Sequence, residues 1–258
     1  MACRPSMIMV LIFLRADDFT SGLFYQQLLA SAAVDYYFVY EKDLINDFDV
    51  EIYLKENPDE GHYFILQSRK KGVRIDSRKV KLLINHLSFF DETNFRTFID
   101  SDIAYVMAEW NAIFLAMLTI LDDKQLFNRA SPEEWTGKML PDVLVIKYAQ
   151  QCGLHHAELL HYPDGKLSIS NSHSAASHEF IVHDGNIFGT AILKEEDKAL
   201  LLRFQRMIKL KFSVVGLSRD PATRLIQIHY CHTMPVVNSF VPGFIQYIQK
   251  LISQSQSL

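Results

Sequence analysis

The sequence predicts an α/β protein in two parts. A leading domain carries a partly parallel sheet, and a second domain carries an antiparallel sheet with flanking helices. Three observations predict this. Residues 7–14, MIMVLIFL, form an apolar run of strand length, as a buried parallel strand requires. Strand-like and helix-like stretches then alternate, which favours crossover connections. Near the end, Leu210 to Pro235 (LKFSVVGLSRDPATRLIQIHYCHTMP) reads as strand, tight turn, strand and sharp bend. The boundary is expected near residue 125, giving domains over 1–125 and 126–258.

Each element follows from local pattern. After the opening strand, Asp17, Asp18, Thr20 and Ser21 offer capping oxygens to a helix through Leu23, Leu28 and Leu29. Asp35 to Tyr40 is a second strand. Val50 to Leu54 and His62 to Gln67 are two more, with a turn between them, and Lys81 to Ile84 is a short apolar strand. Ser101 and Asp102 cap a long helix whose stripe is Ile103, Val106, Trp110, Phe114, Met117 and Leu121, the spacing of a core-packing face. Asp142 to Cys152 is a helix stopped by Gly153. Strands are expected at His156 to His161 and Lys166 to Asn171, then a loop at 172–177. Phe180 to His183 and Asn186 to Ile192 flank Asp184-Gly185, a strong hairpin signal. Glu195 to Lys209 is helical, burying Leu200, Leu201, Phe204, Met207 and Ile208. A closing amphipathic helix follows the last hairpin, with Val241, Phe244, Ile245, Ile248, Leu251 and Ile252 on its apolar face.

Bulk properties narrow the function classes. The 258 residues, 49% hydrophobic and 22% charged, suffice for a sizeable core. A net charge of -4 gives no basic balance that would suggest nucleic acid. Cys3, Cys152 and Cys231 are odd in number and widely spaced, so a reducing, cytoplasmic setting is expected. The apolar run at 7–14 follows Arg4, but it is short, and RADD follows it instead of a small-residue cleavage site. No run approaches the ~20 apolar residues of a membrane span, so no membrane partner is expected.

Several clusters could carry chemistry. His229, Cys231 and His232 are zinc-type ligands, but alternation puts only His229 and Cys231 on one strand face, and no fourth ligand is evident. They read as a partly buried histidine and a packed thiol. His155 and His156 lie elsewhere in the chain. His173, Ser174 and His178 lack any nucleophile-elbow context. Lys166 follows Asp164-Gly165 and reads as a solvated turn residue, as does the run Arg69-Lys70-Lys71. No glycine-rich phosphate loop occurs.

The order of elements resembles the ATP-grasp ligases that modify ribosomal peptides, especially the microviridin-forming group. The residues behind the resemblance are the VLIFL strand, the helix with Ala108-Glu109-Trp110, the Asn128 loop, Trp135, the helix reading IKYAQQCGL, the segment from Glu179, and the last hairpin. The resemblance implies a pre-ATP-grasp-like α/β domain followed by a reduced ATP-grasp-like domain. It also implies functional positions, and these are altered. Where the family has a phosphate-binding lysine this chain has Asp142, and where it has an arginine facing the acyl phosphate this chain has Glu179. The magnesium-binding positions fall on Gly216 and on Tyr230 and His232, or one residue earlier on His229 and Cys231. Only residues 163–177 stand where the family carries a small strand-rich lobe.

Phosphoryl transfer depends on positioning and charge neutralisation, and magnesium on oxygen ligands. The resemblance therefore implies a shortened, degenerate, non-catalytic homologue with no bound cofactor. Its expected partner is a peptide or an active ATP-grasp ligase subunit, in a homodimer or heteromer. The alternative is an active carboxylate–amine ligase using ATP and Mg, built from carboxylates and lysines such as Glu109, Asp142, Lys166 and Glu179.

Overall fold

A computed structural model describes residues 9–30, 34–57, 61–96, 102–132, 134–137, 140–156, 159–161, 167–169, 178–220 and 223–254. The chain forms two compact units. One comprises Met1–Gly137 with Ile248–Leu258, and the other comprises Lys138–Tyr247.

The first unit begins with β1 (Met9–Leu14), every residue of which is buried. It continues through α1 (Phe19–Ala30), β2 (Asp35–Tyr40), α2 (Glu41–Asp47), β3 (Phe48–Tyr53), β4 (Tyr63–Ser68), β5 (Arg74–Asp76), β6 (Val80–Asn85) and α3 (Ile103–Ile120). Strand β1 is central in a sheet of order β2-β1-β6, parallel to both neighbours. Burial on both sides explains why it reads as a continuous apolar run. Strands β3, β4 and β5 form a separate antiparallel sheet.

Helix α1 starts where Asp18 Oδ1 accepts from the Ser21 amide at 3.1 Å. The helix runs through Leu23, Leu28 and Leu29 as expected, with Leu28 and Leu29 buried and Leu23 60% exposed. Asp102 occupies the N-cap of α3 without a side-chain cap bond, and Ser101 lies outside the described residues. On α3, Phe114 packs against Phe13, Phe90 and Trp135 at ring separations of 5.0, 5.4 and 4.8 Å. Ile103, Val106 and Trp110 flank the same core. By length and composition alone α3 passes for a membrane span, contrary to the expectation that no run does. Its ring contacts instead seat one face in the core of its unit.

Two elements escaped the sequence reading: α2, seven residues long, and β5, three residues long. Both are too short to show a period. The basic turn at Arg69-Lys70-Lys71 is held by acids. Arg69 pairs with Asp49 and Lys71 with Asp43, while buried Asp47 accepts from the Lys70 amide and the Ser68 hydroxyl.

The second unit contains α4 (Asp142–Cys152), β7 (His155–His156), β8 (Leu159–His161), β9 (Leu167–Ile169), β10 (His178–His183), β11 (Asn186–Gly189), α5 (Glu195–Ile208), β12 (Phe212–Arg219) and β13 (Ile226–His232). Helix α6 (Pro242–Gln254) begins here. The main sheet has the order β11-β10-β12-β13-β7, antiparallel except for the β13–β7 pair. Asp184 and Gly185 both take positive φ, 46° and 77°, as the predicted two-residue hairpin turn requires. Gly153 ends α4 in the left-handed conformation.

Strand β11 stops at Gly189, short of the expected Ile192, which is fully exposed. The strand expected at His156 to His161 is divided between β7 and β8. Strands β8 and β9 pair as a small separate sheet. Most of 163–177, with Lys166, His173 and Ser174, lies outside the described residues. Phe180, Val182, Val215, Leu217, Ile226 and Ile228 form the sheet face that joins α4 and α5 in one core. On the other face, Phe212, Phe244 and Tyr247 pack around the ring of buried His183, and Phe240 packs against Phe212 and Phe244.

Candidate functional site

The last hairpin contains a register shift. Gly216 pairs with Tyr230, and Leu217 with Ile228, so His229 is the extra residue of a bulge. On the other side of β12, Gly216 faces Glu179 of β10. Glu179, Gly216 and Tyr230, three of the positions singled out in the sequence, thus lie in one row across three adjacent strands. The sequence suggested each separately; antiparallel pairing brings them together.

The row is closed by its own side chains. The Tyr230 ring lies over Gly216, where a Cβ would come within 2.2 Å of Tyr230 Cε1. The Tyr230 hydroxyl donates to Glu179 Oε1 at 2.5 Å, and Ser239 Oγ donates to Oε2 at 3.0 Å. Burial, then the hydrogen bond and charge of Glu179, push the Tyr230 phenol well above its ordinary value. Tyr230 therefore remains a hydrogen-bond donor at neutral pH. The His232 ring lies 4.8 Å from that of Tyr230. Such a row offers one carboxylate, already engaged on both oxygens, and no side chain at 216. It does not fit an octahedral magnesium site built from several oxygens.

The remaining predicted residues are dispersed. The bulge breaks the alternation expected to put His229 and Cys231 on one face. His229 Nε2 meets Ser218 Oγ at 2.7 Å, while Cys231 packs with the α4–α5 core, where burial raises its thiol to about 12. Among the described residues, no three His, Cys, Asp or Glu side chains gather as a metal site needs. Asp142 opens α4, where its charge complements the positive end of the helix. His155 is in β7 beside Gln227, and His178 starts β10. Glu109 is in α3 of the first unit.

Two features of the second unit were not visible in the sequence. Ser239 joins the Glu179 row from a segment sixty residues away. Arg219 pairs with buried Asp197 at the start of α5 and donates to the Arg224 carbonyl, fixing the hairpin end. Beside this pair lies a cleft of about 330 Å³ lined by Phe180, Leu193, Leu217, Ile226, Ser218 and Arg219. No motif announces either feature, because both depend on strand register and on a distant helix start.

Comparison with known proteins places the architecture. No protein-family profile matches the chain, and neither does any curated protein. Solved structures do match. The fold is that of the ATP-grasp ligases, and its structural neighbours are the ligases that act on ribosomally made peptides. A RiPP-associated ATP-grasp ligase of Chryseobacterium gregarium, in complex with ADP and a leader and core peptide, superposes with a TM-score of 0.67 at 9% identity, over 96% of this chain and 97% of that one. The macrocyclase MdnC of Microcystis aeruginosa, bound with the precursor peptide MdnA, gives 0.63 at 10% identity, over 96% and 100%. The ATP-grasp ligase PsnB, complexed with a minimal precursor variant, Mg and ADP, gives 0.63 at 9%, over 99% of both chains.

Proposed function

We propose that this chain is a non-catalytic ATP-grasp homologue that works as a peptide-binding or partner subunit of a peptide-modifying ligase system. The observation that carries the reading is the closed row. At the three positions where the resemblance implies an arginine and magnesium-binding carboxylates, the chain has Glu179, Gly216 and Tyr230, hydrogen-bonded or packed to one another. A negatively charged residue repels triphosphate, and a glycine supplies no ligand, so neutralisation of transferring phosphate has no local source. Asp142 adds a second negative charge where the resemblance implies a phosphate-binding lysine.

Peptide binding is supported by the neighbours, several of which are complexes with precursor peptides. The cleft beside Arg219 is apolar enough for a peptide side chain. Pairing with an active ligase subunit or with a second copy, in the cytoplasm, belongs to the same reading.

The alternative is an active carboxylate–amine ligase that uses ATP and Mg, and it needs free cations and carboxylates at one place. Glu179 is engaged on both oxygens, Glu109 lies in the other unit from Asp142 and Glu179, and Lys166 is outside the described residues. Calorimetric titration of ATP with magnesium into the full chain separates the two. No heat of binding at ~1 mM nucleotide, a free energy of about -4 kcal/mol, is expected. Micromolar binding, or ADP release in the presence of a carboxylate and an amine, overturns the proposal.

A further inference from the structure

The parallel sheet of the first unit has a second site at its carboxyl edge. In open α/β sheets, ligands settle outside the carboxyl ends of the strands, where chain direction diverges. Here each of the three strands sends one charged residue there. Arg15 directly follows β1, Glu41 directly follows β2, and Asp91 stands six residues after β6. With Asp17, Lys42 and Phe19 they line a cleft of about 250 Å³.

The charges are arranged unevenly. Arg15 Nε meets Asp17 Oδ1 at 3.2 Å, and its Nη2 lies 4.0 Å from Asp91 Oδ2. Asp91 uses its other oxygen to cap the turn that follows, accepting from the Thr93 amide at 2.8 Å. Glu41 is only 5% exposed, lines the cleft, and makes no hydrogen bond or ion pair among the described residues. The charge of Glu41 reaches Arg15 only at longer range. A carboxylate with no cation of the protein in contact is left to meet one from solution. Lys42, on the next residue, is exposed, and its side chain is unpaired among the described residues.

We infer that this cleft binds a compact zwitterion of amino-acid size. Its ammonium meets Glu41 and the adjacent Asp91, and its carboxylate meets Lys42 and the free edge of Arg15. The volume lies below the ~300–1,000 Å³ of pockets for drug-sized ligands, and the presence of both signs favours a ligand that carries both. The guanidinium beside the carboxylates disfavours a bare divalent cation, which it would repel. This site is independent of the Glu179 row and stands whether or not the chain binds nucleotide.

The test screens the twenty amino acids singly against the full-length protein by thermal shift and calorimetry, with methylammonium, acetate and magnesium chloride as controls. At least one amino acid is expected to bind, and its N-acetyl derivative and the two half-ligands to bind at least about 10-fold more weakly, equivalent to 1.4 kcal/mol. Glu41→Gln is expected to weaken binding by a similar factor. Lys42→Ala, at an exposed position, is expected to weaken it by roughly 3-fold without disturbing the fold, so it carries the test if Glu41→Gln does not fold. The inference is overturned if no amino acid binds at ~10 mM, if N-acetylation or Lys42→Ala leaves affinity unchanged, or if magnesium alone binds.

Discussion

Replacing Gly216 with alanine tests the closed row at its tightest point. The added methyl would sit 2.2 Å from Tyr230 Cε1 and 2.4 Å from Cζ, so the ring must move. Moving it strains or breaks the hydrogen bond to Glu179. Overpacking of this kind costs about 1–3 kcal/mol. The hydrogen bond is partly exposed and adds at most about 1 kcal/mol. A destabilisation of about 2–3 kcal/mol is therefore predicted for the second unit. In a Tyr230→Ala background the same substitution meets no ring and should be neutral or slightly stabilising, since alanine in a strand is favoured over glycine by about 0.5–1 kcal/mol. The coupling in the double-mutant cycle should be about 2 kcal/mol.

Both tryptophans, Trp110 and Trp135, lie in the first unit and outside this sheet's strands. Hydrogen exchange of the β10, β12 and β13 amides is the suitable assay. A coupling within about 0.5 kcal/mol of zero would refute the claim that Tyr230 fills the place of a side chain at 216.

Three further predictions concern other sites. The His86 imidazole, whose Nδ1 stands 3.6 Å from Asp18 Oδ2, acts against burial and with help from Ser21 to hold the Asp18 carboxyl at about 2, below its ordinary 3.8. Its stabilisation of the first unit is thus complete above pH ~4 and lost as pH falls through about 2; an acid titration of unfolding should lose this component in Asp18→Asn. The Cys231 thiol, raised to about 12 by burial, should react with iodoacetamide at pH 8 roughly 10³-fold more slowly in the native than in the urea-unfolded chain; mass spectrometry finding comparable rates would contradict its packing. At Gly185, where φ is 77° and a Cβ meets nothing within 4 Å, alanine should cost about 1 kcal/mol through the backbone alone, and asparagine less; equal losses in hydrogen exchange of the hairpin would count against the turn assigned here.

Much of the fold was legible because the strongest signals are local. MIMVLIFL is buried at every described position, and the turn at Asp184-Gly185, the α4 stop at Gly153 and the α5 face with Leu201, Phe204 and Ile208 fell where pattern put them. Leu23 lies in α1 as the pattern put it but is exposed, since an apolar residue can occupy an outer helix face without violating any period. The candidate site was legible only in pieces. Glu179, Gly216 and Tyr230 stood out one by one, but their row depends on pairing across 51 residues between Glu179 and Tyr230. The bulge at His229 changes which side chains share a face, and a one-residue insertion of that kind leaves no mark in composition. Ser239 and the Asp197–Arg219 pair depend on tertiary approach alone.

The first unit takes in Ile248–Leu258 after an interruption from 138 to 247. In a chain made from its amino end, the parallel sheet is synthesised well before the segment bearing buried Ile248 and Ile252. Closing so long a loop is entropically unfavourable unless the intervening chain has already compacted. A ribosome-bound chain stalled before residue 248 would therefore hold a first unit without that segment, however complete its parallel sheet.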